Sequence, residues 1–168
     1  MTRFQVGDEV FGSRNGSFAE YARAREDKLA RKPANLTFDQ AAVVTISGLT
    51  ALQSLLDVGR VEPGQHVLIV GASGGVGTYA VQIAKASGAE ATGVCSTTKT
   101  GLVRSIGADH VIDYTRDDFV NGPQRYDLIL DIGGNSPLSR LPARTSRLGF
   151  SDPQFVVYAA VAAVVSPR

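Results

Sequence analysis

The chain has 168 residues, one domain's worth with room for an appendage, and its 17 Lys and Arg against 16 Asp and Glu leave a net charge of +1. No overall field draws it to nucleic acid or to a membrane surface, and Cys95, its one cysteine, excludes an intrachain disulfide and points to a reduced, cytoplasmic setting. The start MTRFQVGDEV lacks the apolar segment of a secretory signal, and the longest apolar run, 155–165, has 11 residues where a membrane span needs about 20.

Residues 1–35 read as short strands and turns. VGDEVFG (6–12) alternates around Val6, Val10 and Phe11, RNGS (14–17) supplies turn residues, and SFAEYA (17–22) alternates again. So little sheet is not stable by itself. From 36 to 135 helix and strand take turns. Thr37 with Gln40 is a capping-box pattern that opens a helix to about Val44. A second helix, over about 47–58, carries Leu49, Leu52, Leu55 and Leu56 at helical spacing, before Gly59 and Pro63-Gly64 break the chain. HVLIVGA (66–72) has the apolar, β-branched texture of a strand buried on both faces, and a helix follows over about 76–86. ATGVCS (91–96), HVIDY (110–114) and YDLILDIG (126–133) are three further strands, with a helix over 99–106 and a helical turn over 117–120 between them. This alternation predicts an α/β fold, a doubly wound parallel sheet with helices on its faces. Residues 136–168 differ: they hold Pro137, Pro142, Pro153 and Pro167, four arginines against Asp152 alone, and no Lys or Glu. They read as an atypical tail, in which 155–165 fits either a helix or one more strand.

The informative segment is VLIVGASGGVGTYAVQIAK (67–85), where a buried strand runs into a helix. Gly71, Gly74 and Gly77 recur every third residue. Glycine there permits a tight turn, close approach of backbone to a pyrophosphate, and close packing of helix on strand. The helix's first N–H groups, near Gly75 and Val76, are the expected anion site, so Gly71, Ser73, Gly74, Gly75, Val76 and Gly77 form a candidate phosphate loop. An ATPase-type loop needs Gly-Lys-Ser/Thr at the helix start, and here Gly77 is followed by Thr78 with no lysine before Lys85. The same glycines fit the Gly-x-Ser-x-Gly elbow of serine hydrolases around Ser73, but the one histidine after it, His110, falls in a predicted strand. About 20 residues on, an NAD site carries Asp or Glu for the ribose hydroxyls. This chain instead has Cys95-Ser96-Thr97-Thr98-Lys99. A carboxylate about 4 Å from a phosphate costs on the order of 4 kcal/mol at an effective dielectric of 20, so hydroxyls and Lys99 favour the 2′-phosphate of NADP.

VGDEVFG (6–12), GSFAEYA (16–22), Gly48-Leu49-Thr50, PGQHVLIVGASGGVG (63–77) and GADHVIDY (107–114), in this order, resemble the medium-chain dehydrogenase/reductase superfamily, near its zinc-independent quinone oxidoreductase branch. The resemblance covers about residues 2–135. It implies a Rossmann domain over 36–135 that binds NADP(H), preceded over 1–35 by a remnant of a β-rich, GroES-like catalytic domain, most of which would lie before Met1. By position it assigns Gly74, Gly75 and Val76 to the pyrophosphate, Thr50 to the nicotinamide, and Ser96, Lys99 and Tyr114 to the adenosine 2′-phosphate. Zinc members carry a cysteine where this chain has Thr45-Ile46-Ser47, so no zinc is expected. After 135 the tail departs from the family pattern, although FVVYAA offers a substitute fifth strand. The resemblance implies hydride transfer from nicotinamide to a small molecule such as a quinone, an enone or an aldehyde/alcohol, with no catalytic acid or base assigned and with a homodimer as one arrangement relatives use. The alternative is a truncated, non-catalytic nucleotide-binding module.

Overall fold

The computed structural model describes residues 3–13, 15–17, 19–120 and 123–132, together with the backbone of a strand at Val156–Tyr158. The chain forms two compact units, Met1–Leu49 and Thr50–Arg168.

In the first unit, β1 (Val10–Gly12) pairs antiparallel with β2 (Leu29–Arg31), Phe11 standing opposite Ala30. The sequence predicts a strand over 17–22, yet Ser17 and residues 19–22 hold none, and β1 pairs with a later segment. Side chains favour the later segment: Arg31 reaches Asp8 at 2.8 Å and Lys32 reaches Glu9 at 3.0 Å. The capping box forms as read, with the Gln40 N–H donating to Thr37 Oγ1 at 3.2 Å and the Thr37 N–H to Gln40 Oε1 at 3.0 Å. It opens α1 (Phe38–Leu52), which continues without a break into a π-helical turn, Gln53–Val58. The sequence predicts two helices here, one to about Val44 and one over about 47–58; β-branched Val43, Val44, Thr45 and Ile46 at the junction lower helix propensity but do not end the helix. Phe38–Val58 is one helical stretch, long and apolar enough by length and composition to cross a membrane. Ala51 and Leu55, on its second half, are fully buried in a core layer they share with Val67, Ile69 and Leu130.

The second unit is a five-stranded parallel sheet. Its strands are β3 (His66–Val70), β4 (Glu90–Cys95), β5 (His110–Asp113), β6 (Leu128–Asp131) and β7 (Val156–Tyr158), in the spatial order β5-β4-β3-β6-β7. Strand alternation sorts the side chains into two layers. Val67, Ile69, Ala91, Cys95, Leu128 and Leu130 belong to the layer that holds α2 (Gly75–Ala86) and α3 (Thr100–Ser105). Leu68, Val94 and Ile129 point the other way, to Tyr126 with Ile112 and Phe119. Each fully buried Val, Leu or Ile contributes about 1.5–3 kcal/mol. Helix α2 buries Val76, Gly77, Ala80, Val81 and Ala84, mostly small residues that bring it close to the sheet. The α/β reading and the four strands over 66–131 are thus borne out. Residues 117–120 hold no helix, only a turn at 119–120. The substitute fifth strand is present as β7, parallel to β6 with Val156 opposite Ile129; the rest of the tail, and Gly133, lie outside the described residues.

Side chains staple the sheet's N-terminal edge. Asp109 accepts the Ala91 N–H at 2.8 Å and Lys85 Nζ at 2.8 Å, and Asp127 accepts the His66 N–H at 2.9 Å. Glu90 holds His66 Nε2 at 3.1 Å and His110 Nε2 at 2.7 Å. Inside the sheet, a Cβ on Gly93 would lie 2.5 Å from Val103 Cγ1 and 2.9 Å from Ala72 Cβ. Gly93→Ala should therefore cost about 1–3 kcal/mol by overpacking, read from the urea midpoint.

Candidate functional site

Strand order alone marks a place for a ligand. From β3 the chain moves to β4 and β5 on one side, then returns to β6 on the other. At such a switch point the loops beyond the strands' C-terminal ends part and leave a crevice. Six residues of the glycine loop lie there.

Gly71 ends β3 with φ +86°, a conformation that favours glycine. Its N–H and that of Ala72 both donate to the Val94 carbonyl, at 3.1 and 3.0 Å, tying the turn to the end of β4. The Gly74 N–H donates back to the Gly71 carbonyl at 3.0 Å. Gly74 is extended and is the N-cap of α2, with no side chain capping the helix and no acidic residue in its first turn. The first intrahelical bond runs from the Thr78 N–H to the Gly74 carbonyl at 2.9 Å. The N–H groups of Gly75, Val76 and Gly77 therefore precede the helix's own acceptors and carry the positive end of its dipole. The three glycines do different work. A Cβ on Gly77 would lie 2.1 Å from the Gly71 oxygen and 2.7 Å from Ala72 Cα, so Gly77 sets the helix–strand contact. A Cβ on Gly74, which is exposed, would meet only the Gly71 oxygen, at 3.3 Å. The loop therefore fits a dinucleotide's pyrophosphate: bare donors, a positive helix end, and space where a side chain would stand.

The hydrolase reading of Ser73 does not assemble. Ser73 sits at the C-terminal edge, whereas His110 is the first residue of β5, at the opposite edge, and bonds Glu90. Asp109 is engaged with Lys85.

The ends of β4 and β5 bring the other candidates together. Ser96 follows β4 and accepts the Lys99 N–H at 2.9 Å, closing a turn over Thr97–Lys99 that leaves Lys99 exposed. Tyr114 follows β5, its N–H donating to the Cys95 carbonyl at 3.1 Å and its ring 59% exposed. Burial pushes the Cys95 thiol up, so it is neutral at pH 7. The sequence offers no carboxylate after β4, but the fold delivers one from β5. Asp113, in register with Cys95 and 9% exposed, accepts the Thr97 hydroxyl at 2.5 Å and the Thr115 hydroxyl at 2.7 Å. The Thr115 N–H adds a bond at 3.0 Å, and Arg116 Nε lies 3.7 Å away. The Thr97 hydroxyl, then Thr115 and Arg116, hold the Asp113 carboxyl below the usual range against the opposing effect of burial. The signal for Asp113 was the equal register of two parallel strand ends, which no single segment displays.

Thr50 is half-buried in α1, one residue before the core residue Ala51. Asp131, a second carboxylate missed in the sequence, is buried at the end of β6 opposite Val70. A recess of about 360 Å³ lined by Val111, Ile112, Asp117, Phe119 and Tyr126 lies on the other face of the sheet, away from the glycine loop. Among the described residues no group of three or more His, Cys, Asp or Glu side chains is arranged to hold a metal ion.

Residues 75–141 match the family described as zinc-binding dehydrogenase. The mouse (Mus musculus) mitochondrial NAD(P)H oxidoreductase RTN4IP1 is 40% identical over 145 residues, which cover 79% of this chain and 37% of that protein. The chloroplastic NADPH-dependent alkenal/one oxidoreductase of Arabidopsis thaliana is 38% identical, over 76% of this chain and 36% of its own length. The structure of a quinone oxidoreductase from Coxiella burnetii superposes with a TM-score of 0.73 at 33% identity, over 79% of this chain and 43% of that one. The chain spans less than half the length of each.

Gly77→Ala should lose at least about 1–3 kcal/mol in urea unfolding, while Gly74→Ala stays close to wild type. A carboxyl with a lowered folded-state pKa stabilises the fold above its unfolded value of about 4, and that stability is lost as pH falls through the lower folded value. Asp113→Asn should therefore melt below wild type at pH 7, with the gap closing in melts taken down to about pH 2.

Proposed function

Because the chain belongs to the medium-chain dehydrogenase/reductase superfamily, near its quinone oxidoreductase branch, we propose that it binds NADP(H) at the C-terminal edge of β3, β4 and β5 in the service of hydride transfer. The observation that carries this reading is the uncapped mouth of α2, extended at Gly74 and helical from Gly75. On this proposal Gly75 and Val76 donate N–H groups to the pyrophosphate, with Gly71, Ser73 and Gly77 shaping the turn and Gly74 leaving the space. Thr50 lies beside the nicotinamide. Bound there, the nicotinamide supplies the hydride, and the protein supplies orientation and exclusion of water. The acceptor is a quinone or an enone, in keeping with the names of the relatives, or an aldehyde/alcohol pair. A reducing compartment suits the single buried thiol.

The preference for NADPH rests on charge. Ser96, Lys99 and Tyr114 gather at two adjacent strand ends, and the two oxygens of Asp113 are taken up by threonine hydroxyls rather than offered to a ribose. An exposed lysine without a presented carboxylate suits a 2′-phosphate.

Thermal melting with NADPH tests the binding. At 100 times its dissociation constant the cofactor adds about 2.7 kcal/mol, and no shift would sink the proposal. NADPH binding without reduction of 1,4-benzoquinone would assign the chain to the second reading, a nucleotide-binding unit without turnover. Lys99→Ala should weaken NADPH by about 10-fold or more, the worth of a charge-assisted hydrogen bond, and leave NADH nearly unchanged in the same titration.

A further inference from the structure

We propose that Asp113 is a positioning residue for the cofactor's 2′-phosphate, with Thr97 as its strut rather than a phosphate ligand. The inference rests on the reading that NADPH occupies this edge. A threonine hydroxyl has one proton to give. Thr97 Oγ1 gives its proton to Asp113 Oδ2 at 2.5 Å, and Thr115 Oγ1 gives its own to Oδ1 at 2.7 Å. The two hydroxyl oxygens stand 2.9 Å apart, so three contacts share two protons. Both protons are drawn to the ionised carboxylate, and Thr97 then has none to offer a phosphate, which requires donors.

What Thr97 does instead is mechanical. It anchors the turn Thr97–Lys99 to the end of β5, the turn whose closing bond joins the Lys99 N–H to the Ser96 carbonyl. On the other side the Tyr114 N–H bonds the Cys95 carbonyl, so the residues assigned to the phosphate hang from two ties between β4 and β5. The guanidinium of Arg116 lies 3.7 Å from the carboxylate, on the extension of its own strand, and from β4 the titratable group beside it is the Cys95 thiol, which is neutral. The low pKa of Asp113 keeps the network ionised at neutral pH.

A double-mutant cycle read in dissociation constants for NADPH and NADH tests this. Thr97→Val should weaken NADPH about 10-fold and NADH less than about 2-fold, and Thr97→Ser, which keeps the hydroxyl, should restore NADPH binding. In an Asp113→Asn background, Thr97→Val should cost less than about a further 2-fold, because the strut has lost its anchor. An equal loss in both backgrounds would make Thr97 a direct ligand and overturn the inference. Equal losses for NADPH and NADH would reduce the network to a fold element and overturn it too. A wild-type chain that binds no NADPH overturns the cofactor reading and this inference with it. If Thr97→Val gives no cooperative melt, Thr115→Val, on the other carboxylate oxygen, carries the same cycle.

Discussion

The contact between Gly77 and the Gly71 carbonyl sets everything that follows at the sheet's C-terminal edge. With no side chain on Gly77, the first turn of α2 settles onto the turn that ends β3, close enough that a methyl group would overlap an oxygen at 2.1 Å. The same carbonyl receives the Gly74 N–H, and the N–H groups of Gly71 and Ala72 bind the end of β4. One peptide thus fixes the strand pair and the direction in which the helix opens. The cradle for an anion follows from this packing rather than from a dedicated binding residue: the donors are main-chain groups left over when a helix begins.

The two edges of the sheet use charge in opposite ways. At the N-terminal edge Asp109, Asp127 and Glu90 are spent on strand N–H groups, on Lys85 and on two histidines. Those pairs close the bottom of the sheet and present no acid to the crevice above. At the C-terminal edge the first turn of α2 carries no acid, and Lys99 is exposed. Parallel strands all end on the same side, and with Asp113 and Asp131 buried at that end, the main-chain donors and Lys99 leave it favourable to an anion although the chain as a whole carries only +1.

How much of this could be read in the sequence depended on how local each cause is. The capping box, the buried strand at 66–70 and the glycine loop are written in adjacent residues, and the structure keeps them. The continuity of α1 was not legible, because the local cost of four β-branched residues is outweighed by burial of Ala51 and Leu55, which only the assembled sheet provides. The strand expected over 17–22 is absent from Ser17 and residues 19–22 for a related reason. Residues 17–22 alternate as a strand should, but the ion pairs Arg31–Asp8 and Lys32–Glu9 belong to a segment farther along the chain. Asp113 escaped notice because its role is defined across the sheet, by Thr97, 16 residues before it.

That last residue changes how cofactor preference should be argued. Counting from the glycine loop to the expected acid asks whether a carboxylate is present at one strand end. Here one is present at the neighbouring strand, and at about 4 Å from a phosphate it would oppose binding by on the order of 4 kcal/mol at an effective dielectric of 20. The opposition depends on how that charge is met. Two hydroxyls, one backbone N–H and a guanidinium surround Asp113, so its lone pairs are consumed within the protein and its field is partly cancelled at the source. A carboxylate used in this way ceases to select for ribose hydroxyls and becomes part of the scaffold that holds Ser96 and Lys99. Selectivity at such an edge is therefore decided by which acids have acceptors left over, a property of the folded sheet rather than of residue spacing.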